Sequence, residues 1–82
     1  MIEALVLAAA AQCLPYDAMI GALRDQFSES VQATGMAATG HVMQVIASDA
    51  GTWTIIVVDP TGNACIAAHG TGYAEERPRP NL

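Results

Sequence analysis

The chain contains no lysine, and its only fixed cations are Arg24, Arg77 and Arg79. Recognition of a phosphate backbone or an anionic membrane needs clustered cations, and two arginines in the last six residues are no such cluster. Nucleic acid is therefore excluded as an expected partner. The formal net charge of −5 mainly serves solubility. No apolar run reaches the roughly 20 residues that a transmembrane helix needs. Metal-binding spacings are missing too: two cysteines and two histidines are scattered, without C-x-x-C or H-x-x-x-H, so no metal or other cofactor is expected. Neither phosphate-loop pattern occurs, and the Gly70-Thr71-Gly72 triplet is better explained as a strand terminator. No G-x-S-x-G is present. Cys65 and His69 on one strand would lie about 13 Å apart, too far for proton transfer between them. These absences point away from an enzyme.

Aromatic residues are also few: Tyr16, Phe27, Trp53 and Tyr73. The chain is 52% hydrophobic, but much of that is alanine, which buries little area per residue. With 82 residues, one small domain with a thin core is expected, needing a staple or a partner.

Residues 1–11, MIEALVLAAAA, are apolar apart from Glu3. They fit a secretory signal with small residues at the cleavage position, or a retained N-terminal docking helix. A basic n-region is missing. Pro15 suits the first position of a helix. Tyr16, Met19, Ile20, Leu23 and Phe27 then recur at helical spacing, opposite Asp17, Arg24 and Asp25. This predicts an amphipathic helix of about 14 residues.

Four strands follow by composition: 31–38, 41–48, 52–59 and 63–69. Their turn signals are Thr39-Gly40, Asp49-Ala50-Gly51 and Pro60-Thr61-Gly62. The expected fold is α+β, an N-terminal helix packed on a four-stranded antiparallel meander sheet. The single domain covers 12–73, with an extended polar tail at 74–82. Pairing across Pro60-Thr61-Gly62 aligns Val57 with Cys65, Ile55 with Ala67 and Trp53 with His69. The bulkier face, with Trp53, is expected to meet the helix, making Trp53, Phe27 and Leu23 the core anchors. The other face, Thr54, Ile56, Val58, Ala64, Ile66 and Ala68, remains apolar and is the expected interaction face. His41 and His69 fall at strand ends, where surface or packing roles are the simplest reading.

Cys13 and Cys65 are the expected disulfide, tying the start of the helix to the sheet. The competing reading is two buried free thiols acting as small hydrophobes in a reducing compartment.

The run AAAAQC, then Pro15 and a helix, then GTWTIIVVDPTGNACIAAHG, resembles a group of small exported proteins of alphaproteobacteria and their phages. The resemblance covers about residues 8–73. It implies a Cys13–Cys65 bridge and a phage or bacterial-envelope setting. That group has no established activity, so no functional residue transfers.

The resulting expectation is a non-enzymatic structural or interaction module, a component of a phage virion or envelope, with a protein partner or a second copy of itself. An exported periplasmic binding protein stapled by the disulfide is the alternative. A shallow enzymatic site near Trp53 and His69 is the weakest reading. The expected location is periplasmic, secreted or virion-borne, with the cytoplasm left open.

Overall fold

The computed structural model describes residues 12–76. The apolar segment 1–11 and the end of the polar tail, 77–82, lie outside the described residues.

The fold is mostly β. Strand β1 (Cys13–Pro15) leads into helix α1 (Tyr16–Phe27), followed by β2 (Ser30–Met36), β3 (Val42–Ala47), β4 (Trp53–Val58) and β5 (Asn63–Gly70). These form one five-stranded antiparallel sheet in the order β1-β5-β4-β3-β2. This corrects the expected four-stranded sheet with a helix at its N-terminal end. The helix is preceded by a strand, which pairs with the last strand of the chain.

A three-residue strand carries no readable periodicity, which is why β1 escapes the sequence. Pro15 closes β1 and also serves as the N-cap of α1. It stands opposite Asn63, and the flanking Tyr16 N–H donates to the Gly62 carbonyl at 2.9 Å. Pro15 is thus at a position of the antiparallel ladder where no N–H is required.

Strands β1 and β2 form opposite edges of the sheet, and α1 crosses one face between them. A 12-residue helix is about 18 Å long. Four inter-strand gaps of about 4.8 Å make roughly 19 Å. Its length matches the crossing. At its end Ser28 adopts φ 57°, and its N–H donates to the Arg24 carbonyl at 3.0 Å.

Met19 and Leu23 of α1 pack on Ile46, Ile56, Val58 and Ala64, with Leu14, Tyr16, Ile20, Val42 and Ile66 around them. Ile56 and Ala64 are fully buried. Complete burial of a side chain such as Ile56 contributes about 1.5–3 kcal/mol. The expected faces are therefore reversed. Thr54, Ile56, Val58, Ala64 and Ile66 lie beneath the helix, and the Trp53 face is the one turned away. Small and β-branched side chains let a helix sit close to a sheet. Among the expected anchors, Leu23 is buried, Phe27 is 49% exposed at the end of the helix, and Trp53 is half-buried on the other face.

The register also departs from expectation beyond Ile56. Val57 pairs with Cys65 and Ile56 with Ile66, but Ile55 then pairs with Ala68, leaving Ala67 as an extra residue on β5. This bulge moves every later partner by one. Trp53 now opposes Gly70, and His69 opposes Thr54. Ala68 pairs with Ile55 and so leaves the face to which an unbroken alternation assigns it.

Cys13 and Cys65 are directly opposite on β1 and β5 and form a disulfide. The bridge joins residues 52 apart, for which the chain-entropy model gives about 4 kcal/mol. Replacing both cysteines by serine is expected to lower stability by about 2–4 kcal/mol in urea unfolding. An unchanged midpoint would show that strand pairing alone holds β1.

Candidate interaction face

Alternation along each strand builds the face turned away from α1. Strand β4 supplies Trp53, Ile55 and Val57. Val45 lies opposite Ile55, and Met43 opposite Val57. Cys65 and Ala68 continue the face on β5, with Cys13 bonded to Cys65 at its edge. None of these side chains is charged. Ile55, Val57 and Val45 keep partial exposure, and Met43 is 50% exposed. Among the described residues no helix or strand lies on this face.

No described acidic residue belongs to the strands. Asp17 and Asp25 are on the helix, Asp49 and Asp59 follow β3 and β4, and Glu75 and Glu76 are in the tail. Glu29 is buried on the helix side, where its Oε1 accepts a bond from Thr54 Oγ1 at 2.9 Å. Thr54, expected at an open interaction face, instead holds the chain between α1 and β2 against the central strand. Within the sequence Glu29 resembles any solvated acid of a Ser-Glu-Ser loop, and no local signal marks its burial.

Trp53 lies flat across Gly70. A Cβ at position 70 would sit 2.9 Å from Trp53 Cζ2 and 3.1 Å from Cε2. The indole Nε1 donates to the Thr71 carbonyl at 2.9 Å. Only glycine admits the ring here, and the Ala67 bulge is what brings glycine opposite it. The tryptophan thus forms one flat end of the apolar face, with its polar atom satisfied.

At the end of the sheet where β4 turns into β5, Asp59 organises the hairpin. Its Oδ1 accepts from Thr61 Oγ1 at 2.6 Å, Thr61 N–H at 2.9 Å and Asn63 N–H at 3.1 Å. Gly62 completes the turn at φ 95°. The Thr61 hydroxyl, then the Asn63 and Thr61 amides, hold the Asp59 carboxyl below its ordinary value of 3.8, with a smaller contribution from His41.

Both sulfurs are joined in the disulfide, so neither is a thiolate nucleophile or a metal ligand. Among the described residues no three His, Cys, Asp or Glu side chains converge on a metal position. His41 Nδ1 is hydrogen-bonded to Thr39 Oγ1 at 2.9 Å. His69 is exposed near the end of β5, across from Thr54.

Two measurements check these details. Gly70→Val is expected to displace the indole, shifting the emission of the only tryptophan to the red and costing about 1–3 kcal/mol. An unshifted spectrum would contradict the stacked geometry. Because folding lowers the Asp59 pKa, its contribution is complete above the unfolded value and is lost as pH falls through the folded one. Asp59→Asn should accordingly melt with a flatter acid limb than the parent below about pH 4. Identical acid limbs would rule out this role for Asp59.

Comparison with protein-family models, curated proteins and solved structures returns no match to this chain.

Proposed function

We propose that the chain is a non-enzymatic structural or interaction module that enters a larger assembly through the uncharged sheet face of Trp53, Ile55, Val57, Val45 and Met43. The observation that carries this reading is that face itself. It is apolar, free of charge, and has no helix or strand over it among the described residues. It spans β5, β4 and β3, about 10 Å between the outer strand axes, and runs about 20 Å along them. A protein surface, or another copy of the chain, is the partner that such a face accepts. The apolar composition of residues 1–11 would add to the same assembly.

The disulfide suggests a non-reducing environment. No helix among the described residues is long and apolar enough to cross a membrane. An exported, envelope or virion setting joins the bridge to the resemblance noted in the sequence, and it forms part of the proposal.

Val57→Glu tests the reading. The residue is partly exposed, so the carboxylate stays hydrated and the monomer folds. Native mass spectrometry of protein from its own source should show the parent in a larger complex than the variant forms, both with the disulfide intact. A variant that retains the parent's assembly would overturn the proposal.

A further inference from the structure

The two edges of the sheet are built differently. At one, β1 is three residues long, contains Pro15 and is bonded to its neighbour by the disulfide. Shortness and proline are both devices that keep an edge from pairing further. At the other, β2 runs for seven residues, all exposed, without a proline. No charged residue occurs from Ser30 to Gly40. In a chain carrying −5 overall, this edge has none of the charges that normally guard one.

The hydrogen-bond pattern marks which part of β2 is open. A bulge falls between Val31 and Ala33, and the Gln32 amide donates to the Ser30 carbonyl at 3.2 Å. The first half is thereby irregular and partly capped. From Ala33 to Met36 the register against β3 is regular. Ala37 N–H donates to the His41 carbonyl at 2.8 Å, one step beyond the Met36–Val42 pair. Alternation then turns Gly35 and Ala33 inward to β3, and the N–H and C=O of Thr34 and Met36 outward.

We propose that this edge pairs with the same edge of a second copy, antiparallel about Gly35, joining two sheets into one. Thr34 of each copy exchanges both backbone bonds with Met36 of the other. Gly35 faces Gly35 at the close-approach position, and a Cβ there would meet nothing within 4 Å in the single chain. An antiparallel strand pairs with itself under a two-fold axis, so one uncharged edge is sufficient. Two copies of net charge −5 meet there without apposed carboxylates. The seam is separate from the apolar face and does not rest on it.

Sedimentation velocity over a concentration series, with amide hydrogen exchange, tests the seam on the full chain. The parent should form a dimer in which the Thr34 and Met36 amides gain protection as concentration rises. Thr34→Lys should reduce the mass to that of one chain and remove that protection, with circular dichroism unchanged. Val57→Glu should leave the Thr34 and Met36 protection intact. A parent monomeric at every concentration, or a Thr34→Lys dimer, would overturn the seam. So would protection of these amides that needs an added extended peptide, which would make the edge a peptide site instead. Loss of the dimer in Val57→Glu, with Thr34→Lys unaffected, would assign association to the face and also overturn the seam.

Discussion

The pairing of Cys13 with Cys65 is the constraint on which the rest of the structure depends. It ties the first described strand to the last and so decides where α1 begins. From that edge a 12-residue helix has just the length to cross the sheet and deliver the chain to the opposite edge. Its buried contacts are few, with Met19 and Leu23 as its buried side chains. In so thin a core, a covalent bond between the ends stabilises what burial alone supports weakly.

From this placement the two faces acquire different roles. The helix covers Ile56, Val58, Ala64 and Ile46, leaving Trp53, Ile55, Val57 and Val45 on the other side. A single inserted residue, Ala67, then adjusts the far end of the hairpin so that Trp53 meets glycine. On the helix side of the sheet Tyr16 Oη donates to Gln44 Oε1 at 2.9 Å, and Gln44 Nε2 to the exposed Thr34 Oγ1 at 3.2 Å. The uncharged outer face needs no such pairing, because its exposed groups are apolar. Among the described residues, fixed charge is confined to the helix, the turns, the tail and the buried Glu29.

Much of the local structure was legible. Helical spacing from Tyr16 to Phe27 and β-branched runs at 42–47 and 53–58 each carry a period that a short window reveals. Pro60, Thr61 and Gly62 mark their hairpin through local chemistry. The candidate face was legible only in kind. Alternation shows that both faces of β4 are apolar, but not which of them a helix will cover. Trp53 misleads because bulk is a poor guide to burial in a small core. Its indole N–H needs an acceptor, and Thr71 supplies one at the rim.

By itself the sequence determined that this is a small, acidic, disulfide-capable chain with one amphipathic helix and several strands, lacking the cation clusters that nucleic acid requires. These properties follow from composition and short-range periodicity, which each segment carries alone. Tertiary structure decided the fifth strand, the bulge at Ala67, the burial of Glu29 against Thr54, and which face stays open. Each of those depends on contacts between residues far apart in the chain. The pairing of residue 13 with residue 65 sets a geometry that no local window contains.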